Sequence, residues 1–311
     1  MLKRNGSVGP NLGVARLICL GTVLATSNLH AQEPTRTPVP FSHTCPPTIL
    51  DSRDVNLYGK SGRPRRGFIK KFASNILLDQ KAIWTSPFHI NGSSAGWWIF
   101  TGLGTAALLG ADHHISQSLP FSGTSVAFGN AASRAGQWYF VFPAAGISLA
   151  LGAVTHNEKL EETGALALQA LVNADIVANV LKVSARRARP GDGDHGGHFE
   201  AGGSSFPSGH STQAWALATV LATEYGDHKW IPYVSYGYAT LVSVSRVMAQ
   251  EHFTSDVFVG GAIGFFIGRY VVRTQHAHQQ HLHSLGAHLP VPQILPSFSP
   301  MEKVIAIRWS Y

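Results

Sequence analysis

Two long stretches without Asp, Glu, Lys or Arg constrain this chain most. They run from residue 88 to 111 and from residue 135 to 155. Each is about long enough for a helix to cross a bilayer, and each has aromatic residues near one end, as interfacial belts do. Charged residues are only 13% of the chain, about half the usual share. These stretches predict membrane-embedded helices, with buried helices in a soluble bundle as the alternative.

Four more helical patterns follow in the second half of the chain. They run from Glu161 to Arg187, from Ser211 to Tyr225, from Ile231 to Met248 and from His252 to Val272. These four patterns are shorter or are interrupted by Asp175, Glu224 and Arg269, so they are weaker as isolated membrane spans. Gly260, Gly261 and Gly264 in the last pattern allow close helix approach. The sequence therefore predicts an all-α fold with six core helices.

The two ends of the chain differ from this helical core. Residues 1–31 have the basic start and apolar run of a secretory signal peptide, with an uncleaved anchor as the alternative. Residues 32–90 are a Pro- and Thr-rich linker and a basic extension, in which Lys60–Lys71 fits a solvated loop or a patch for acidic lipids. Residues 274–311 form a His-rich tail with an alternating, strand-like end. We expect both extensions to be irregular around a core at residues 91–273.

The formal net charge of +7 indicates an anionic partner, such as a phosphorylated lipid or an anionic surface. Nucleic acid is the competing partner for a basic protein. The sequence contains no recognisable nucleic-acid-binding motif, so we expect no nucleic-acid partner.

The stretch Gly202-Gly-Ser-Ser-Phe-Pro-Ser-Gly-His210 has the pattern of a turn that opens a helix. Ser208 suits the N-cap position, and the first backbone amides of a helix have no intrahelical partner. The helix dipole is positive at this end, so these residues could bind an anion, with His210 close enough to give it a proton. Alone, a Pro-Ser-Gly turn is most often only a turn.

Two flanking stretches add charge and a second histidine. The upstream stretch is Lys182-Val-Ser-Ala-Arg-Arg-Ala-Arg-Pro190. It places Lys182 and Arg189 two helical turns apart, on one face if the helix continues to Pro190. The downstream stretch places His252 and Asp256 four residues apart, in Ser245-Arg-Val-Met-Ala-Gln-Glu-His-Phe-Thr-Ser-Asp256. On a helix that spacing lets the carboxylate hold one imidazole nitrogen. Fixed cations, free amides and an oriented histidine are what binding and attacking a phosphate require.

The Gly-rich loop Gly191–Ser205 runs into the central turn and contains several acidic residues and histidines. It fits a lid over the site or a metal-binding segment. The irregular spacing of its candidate ligands favours the lid.

Together these stretches resemble the type 2 phosphatidic acid phosphatase superfamily, which includes bacterial acid phosphatases and vanadium haloperoxidases. Its signature, K-x-x-x-x-x-x-R-P, P-S-G-H and S-R-x-x-x-x-x-H-x-x-x-D, is filled here in order and with the family's internal spacing. The resemblance covers roughly Trp97 to Val272 and implies a six-helix bundle. It also implies that five positions bind the phosphoryl oxygens: Lys182, Arg189, Arg246, the Ser208 hydroxyl and the Gly209 amide.

The resemblance implies a metal-independent phosphatase with a phosphohistidine intermediate. His252 is the expected nucleophile, Asp256 fixes its tautomer, and His210 protonates the leaving oxygen and then activates water. The expected substrate is a phosphorylated lipid or a small phosphate ester, and no cofactor is required. We expect the site to face the periplasm from the inner membrane, with a soluble periplasmic protein as the alternative.

Other functions remain open at this point. The same residues hold vanadate in the vanadium haloperoxidases, so vanadate would be an inhibitor of a phosphatase or the cofactor of a haloperoxidase. A serine hydrolase built on Ser208 fits poorly, because the flanking Phe206 and His210 do not form a G-x-S-x-G elbow. A non-catalytic membrane scaffold would not need the two histidines and Asp256. The substrate could be phosphatidic acid, an isoprenoid diphosphate, a lipid A phosphate, phosphatidylglycerol phosphate or a soluble phosphomonoester.

Overall fold

A computed structural model describes residues 68–90, 92–119, 122–192, 197–287, 291–298 and 303–310. The predicted signal peptide, most of the linker and basic extension, and residues 193–196 of the Gly-rich loop lie outside these described residues. Lys70 and Lys71 are the part of the basic stretch that falls within them.

Within the described residues the chain forms eight α-helices and one β-hairpin. The helices are α1 (Phe68–Thr85), α2 (Gly92–Ser118), α3 (Gly123–Ser133), α4 (Trp138–Thr155), α5 (Glu158–Ala185), α6 (Gly209–Glu224), α7 (Trp230–Met248) and α8 (Thr254–Ala287). The hairpin pairs β1 (Val291–Phe298) with β2 (Lys303–Ser310) antiparallel, with Val291 opposite Ser310.

Six of these helices correspond to the six predicted core helices, and the all-α fold of the core is confirmed. They are α2, α4, α5, α6, α7 and α8. The backbone amide of Ser255 at the start of α8 donates to Asp112 near the end of α2, and Gly136 before α4 lies against the His210 carbonyl at the start of α6. Helices α2, α5 and α7 therefore end where α4, α6 and α8 begin, and this common end carries the signature residues.

Helix α5 packs against α4, α6 and α8 in the core. Its buried residues Leu166, Ala170 and Leu171 belong to one apolar cluster with Val220 of α6 and Val271 of α8. Because Ala is the commonest buried residue on α5, neighbouring helices can approach it closely. Burying this apolar surface fixes α5 against its neighbours and so fixes the position of Lys182 at its end.

Glycines set the distance between α6 and α8. The close helix approach predicted from Gly260 and Gly264 is observed. A Cβ atom on Gly264 would lie 2.1 Å from the Thr212 carbonyl oxygen, and one on Gly260 would lie 2.5 Å from the Ser208 carbonyl oxygen. Only a residue without a side chain fits at either position. This close packing brings the first turns of α6 and α8, and the motifs they carry, together.

The outer surface of the bundle has the character of a membrane protein. Among the described residues, three segments are long and apolar enough to cross a membrane: Gly123–Thr155, Glu158–Asp192 and Thr254–His278. Large apolar side chains are exposed around the bundle, including Trp97, Trp138 and Tyr233 at 54%, 68% and 76%. Such exposure costs little in lipid and would be unfavourable in water.

Both extensions are more regular than expected. Helix α1 forms in the segment predicted as an irregular extension, and buried Asp79 joins it to α5 by accepting hydrogen bonds from Gln169 (2.6 Å) and Asn173 (2.9 Å). The predicted His-rich tail continues α8 as far as Ala287. The strand-like end forms β2, and β1 is a second strand that was not predicted.

Candidate active site

The first turn of α6 presents polar groups that the protein itself leaves unpaired. Ser208 occupies the N-cap position, and its carbonyl oxygen accepts from the Thr212 amide at 3.0 Å. The predicted N-cap position of Ser208 is therefore confirmed, but its hydroxyl makes no capping hydrogen bond. Among the described residues, Ser208 Oγ, His210 Nε2 and Arg246 Nε are buried and have no hydrogen-bond partner. Buried polar atoms are rarely left unpaired without a functional reason.

Lys182 reaches this turn from the last turn of α5. A Cβ atom on Gly209 would lie 3.4 Å from Lys182 Nζ, so the ammonium group lies directly over the Gly209 backbone. Any side chain at residue 209 would crowd the cation and cover the amide. The cation, the free amide and the Ser208 hydroxyl can therefore converge on one anion.

Arg189 reaches the site from a loop. The predicted placement of Arg189 on the same helical face as Lys182 is wrong, because α5 ends at Ala185 and Arg186 has left-handed backbone angles (φ 45°). The Arg189 side chain instead donates to Ser204 Oγ at 3.0 Å. Within this loop the backbone amide of Ala188 donates a hydrogen bond to the His198 carbonyl oxygen, so the two sides of the loop are paired.

Glu251 bridges the two arginines of the signature. Its Oε2 accepts from Arg189 Nη1 at 2.5 Å and lies 3.4 Å from Arg246 Nη2. Arg246 is buried and also donates to Ser133 Oγ of α3 at 3.0 Å. One carboxylate from the loop between α7 and α8 and one hydroxyl from α3 therefore hold both guanidinium groups beside α6.

His252 is held by backbone, and this differs from the prediction. It precedes α8, and its Nδ1 lies 2.6 Å from the Ser205 carbonyl oxygen and 3.9 Å from Asp256 Oδ2. The predicted hydrogen bond between Asp256 and His252 is therefore not formed. A carbonyl oxygen can only accept, so Nδ1 carries the proton and Nε2 keeps its lone pair. That is the tautomer a nucleophilic histidine needs.

Asp256 acts on the loop that holds His252. Its Oδ2 accepts from Ser205 Oγ at 2.5 Å and from the Phe253 amide at 2.9 Å, while its backbone carbonyl accepts from the Ser208 amide at 3.0 Å. The carboxylate thus fixes Ser205, whose own carbonyl oxygen holds the imidazole. Asp256 orients His252 through one intervening residue.

Arg187 pairs Asp256 with a second buried carboxylate. Its Nη1 donates to Asp256 Oδ1 at 2.6 Å, and its Nη2 donates to Asp112 Oδ2 of α2 at 2.8 Å. Ser255 donates its backbone amide to Asp112 Oδ1 at 3.0 Å and its hydroxyl to Asp112 Oδ2. The guanidinium also lies over the ring of Phe253, 4.3 Å from its centroid. All the charged members of this network are buried, so it forms a rigid support behind His252.

Both histidines are neutral in this environment. The pKa of His210 is lowered to about 3, first because burial disfavours the imidazolium and then because nearby cations repel it: Arg246, Lys182 and Arg189. The pKa of His252 is lowered well below its ordinary value for the same first reason, with repulsion from Arg246 and Lys182 added. Burial and the same two cations, Arg246 and Lys182, therefore disfavour the charged form of both rings.

The structure brings every predicted site residue to this end of the bundle, but five supporting residues were not predicted. They are Asp112, Ser133, Arg187, Ser205 and Glu251. Arg187 lies inside a basic run and Glu251 beside His252, so each was visible in the sequence without a signal of its role. Asp112 is the first charged residue after the uncharged stretch 88–111, and this position was the sequence signal for a functional role.

Comparison with known proteins supports the family assignment. Residues 163–280 match the model of the PAP2 superfamily. The chain is 36% identical over 93 residues to a lipid A 1-phosphatase of Porphyromonas gingivalis, which covers 30% of this chain and 19% of that protein. It is 32% identical over 108 residues to a lipid A 1-phosphatase of Rhizobium etli, which covers 32% of this chain and 45% of that protein. The chain thus spans less than half the length of these relatives.

Two solved structures are also similar. A transmembrane PAP2-type phosphatidylglycerolphosphate phosphatase from Bacillus subtilis aligns with a TM-score of 0.48 and 24% identity, covering 58% of this chain and 94% of that one. LpxE of Aquifex aeolicus aligns with a TM-score of 0.38 and 26% identity, covering 53% and 94%. The matched segment contains all three motifs, and the predicted resemblance of this part of the chain to the PAP2 superfamily, the type 2 phosphatidic acid phosphatases, is confirmed.

Proposed function

We propose that this protein is a phosphatase that hydrolyses a phosphomonoester or diphosphate of a lipid through a phosphohistidine, without a metal ion. The observation that carries the proposal is the convergence of Lys182, Arg246 and the start of α6 on two neutral histidines. The names of the curated relatives support a phosphorylated lipid as the substrate. Binding alone would not require His252 to be held in the tautomer that leaves Nε2 unprotonated.

In the first step, His252 Nε2 attacks phosphorus. A P–N bond forms, the bond from phosphorus to the leaving oxygen breaks, and His210 gives its proton to that oxygen. His210 is neutral in the resting site, and its repulsion from nearby cations opposes protonation. The negative charge of the bound phosphate offsets those cations, so substrate binding favours the protonated, acidic form of His210.

In the second step, water attacks the phosphohistidine. His210, now neutral, takes a proton from the water while the P–N bond breaks and inorganic phosphate forms. Lys182, Arg189 and Arg246 offset the charge on the transferring phosphoryl group in both steps, and the Gly209 amide and Ser208 hydroxyl add hydrogen bonds. Arginine and lysine thus supply the charge stabilisation that Mg²⁺ supplies in kinases.

The test is release of inorganic phosphate from lipid and soluble phosphates by the purified full-length protein in EDTA, beside His252→Ala. We expect turnover that survives the chelator and is lost in the variant. Acid-labile, base-stable labelling of the wild type by ³²P-substrate would identify the phosphohistidine. Turnover that persists in His252→Ala, or requires added metal, would overturn this mechanism. Halide oxidation on adding vanadate, without phosphatase activity, would favour the haloperoxidase.

The proposal also places the phosphate site on the periplasmic side of the inner membrane, as the predicted signal segment supports. Ala201 is exposed at the end that carries the site, and Asp227 is exposed in the loop between α6 and α7 at the other end. In a chain with Cys19 and Cys45 replaced by serine, a membrane-impermeant maleimide should label Ala201→Cys in intact spheroplasts and Asp227→Cys only after lysis. The reverse pattern would contradict this orientation.

A further inference from the structure

Two buried carboxylates share one guanidinium group behind His252. Arg187 donates through Nη1 to Asp256 Oδ1 at 2.6 Å and through Nη2 to Asp112 Oδ2 at 2.8 Å, and all three side chains are buried. The mechanism above uses Asp256, which holds the loop around His252, but it gives Asp112 no task. Removing a second carboxylate from water is costly, so its presence beside a single cation calls for a reason.

The hydrogen-bond pattern shows that both carboxylates are ionised. Asp112 accepts from the Ser255 amide on Oδ1 and from Arg187 on Oδ2, while Asp256 accepts from Arg187 on Oδ1 and from the Phe253 amide on Oδ2. An N–H group can only donate, so all four carboxyl oxygens act as acceptors, and such bonds favour the charged form. Two negative charges and one positive charge give this network a formal net charge of −1.

This negative charge lies close to the imidazole of His252. Asp256 Oδ2 is 3.9 Å from His252 Nδ1. Asp112 and His252 line the same small pocket, and the surface of that pocket is largely apolar, with Ile115 and Val247 among its walls. Charges interact strongly across such surroundings because little water screens them. The state of Asp112 therefore affects the ring of His252.

The proposed reaction places a positive charge on this ring. When Nε2 forms a bond to phosphorus and Nδ1 keeps its proton, the imidazole becomes a cation. The resting site opposes that charge, since burial first, and then repulsion from Arg246 and Lys182, hold the pKa of His252 well below its ordinary range. The same cations are needed to bind the phosphoryl group. A compensating negative charge therefore has to come from other groups.

We propose that Asp112 is a positioning residue whose charge stabilises the positive ring of His252 when Nε2 bonds to the bound anion. The inference rests on the proposed function and adds a residue to its mechanism. While Asp112 is present, Arg187 is shared between two carboxylates, so Asp256 keeps part of its negative charge beside His252. Without the charge of Asp112, Arg187 and Asp256 form a neutral pair. Asp112 thus acts on His252 through Arg187 and Asp256.

The experiment compares the binding of vanadate and sulfate by the purified full-length protein in detergent. Vanadium(V) accepts a fifth ligand, so vanadate can bond to His252 Nε2, whereas sulfate is held only by charge and hydrogen bonds. We expect Asp112→Asn to lower the ratio of vanadate affinity to sulfate affinity by about tenfold, the order expected for one charge in a protein interior. The rate of phosphohistidine formation from ³²P-substrate should fall by a similar factor.

Three further variants separate the charge of Asp112 from its shape. Asp112→Ser is also neutral but smaller, and it should lower the ratio as Asp112→Asn does. Asp112→Glu keeps the charge and should keep most of the ratio. Ser255→Ala is the matched control, because the Ser255 hydroxyl donates to Asp112 and accepts from Arg187 Nη1 at 2.7 Å. It removes hydrogen bonds from the same network without changing its charge, so the ratio should stay close to that of the wild type.

The outcomes distinguish this inference from the proposed function. A ratio that is unchanged in both neutral variants, or that falls as far in Ser255→Ala, would overturn the role of Asp112 while phosphatase activity stands. A ratio that follows the charge at residue 112, in a protein that hydrolyses no phosphate of the panel, would refute the proposed function and leave the role of Asp112 intact.

Discussion

Arg187 is the residue on which the geometry behind His252 depends. Its guanidinium group pairs with Asp112 and Asp256 at the same time, and Asp256 in turn holds Ser205. A planar fork can serve two carboxylates in fixed directions, whereas an ammonium group is a single point charge. The shape of Arg187, and not only its charge, therefore determines where the Ser205 carbonyl holds His252.

We expect Arg187→Lys to fold with reduced stability and to lose most of its activity. Each lost hydrogen bond to a buried carboxylate costs roughly 1.5–3 kcal/mol, and the misplaced histidine adds a loss in kcat of tenfold or more as an order of magnitude. Phosphate release and thermal unfolding in detergent measure the two effects. Arg186→Lys is the control, because the neighbouring Arg186 is exposed. Full activity in Arg187→Lys would show that charge alone suffices.

His210 leads to a prediction about protons. In the resting site its pKa is about 3, and a bound anion raises that pKa by offsetting the nearby cations. At a pH between the pKa of His210 in the free site and its pKa in the anion-bound site, anion binding must take up a proton. The affinity for the anion should therefore increase as pH falls. Sulfate is the probe, because its own charge is constant above about pH 3. Calorimetry at pH 5.5 in buffers of different ionisation enthalpy should detect the uptake.

The comparison with His210→Gln assigns that proton. The variant should bind sulfate with less proton uptake and a weaker dependence on pH, because glutamine does not titrate. His252 is the other neutral histidine in the site. Uptake that is unchanged in His210→Gln and absent in His252→Ala would assign the proton to His252, and the proposed acid would be wrong.

At the scale of elements, the contact of α6 with α8 aligns the two motifs. Gly260, Gly264 and Gly268 face successive turns of α6. We expect Gly264→Ala to separate the helices, because its Cβ would lie 2.1 Å from the Thr212 carbonyl oxygen. Overpacking of this kind costs roughly 1–3 kcal/mol. Thermal unfolding and phosphate release should both show a loss.

Gly237→Ala in α7 is the control for this contact. A Cβ atom at Gly237 would meet nothing within 4 Å. Alanine is the better helix former by roughly 1 kcal/mol, so this variant should be as stable as the wild type or more stable. A stable, active Gly264→Ala protein would mean that the helices can separate without disturbing the site.

The helices were predictable and the connections between them were not. Apolar periodicity and the glycines of α8 identified the core because burial and close approach leave a repeating pattern. The path of the chain to Arg189 could not be predicted, because it depends on the left-handed backbone of Arg186. The position of Glu251 could not be predicted either. It follows Gln250, whose φ is 59°, and it bridges Arg189 and Arg246, which are far apart in sequence. Single-residue turns and long-range ion pairs leave no periodic trace.

The whole molecule should behave as an integral membrane protein. Exposed aromatic and aliphatic side chains cover much of the bundle, and three segments in the described part of the chain are long and apolar enough to span a bilayer. We expect the protein to sediment with membranes after washing with high salt and alkaline carbonate, and to be released by detergent. Immunoblotting of the fractions measures this. Recovery in the carbonate supernatant would indicate a peripheral protein.

The contact of Asp112 with Arg187 has a consequence for the design of fragments and chimeras of this protein. Asp112 belongs to α2, well ahead of residue 163 where the family match begins. A fragment limited to the matched segment would contain all three motifs but would leave Arg187 with one of its two carboxylates. The residues that support the proposed site therefore extend beyond the segment that matches the family. Chimeras that exchange active sites between relatives should be joined upstream of α2, so that both halves of this pairing come from one parent.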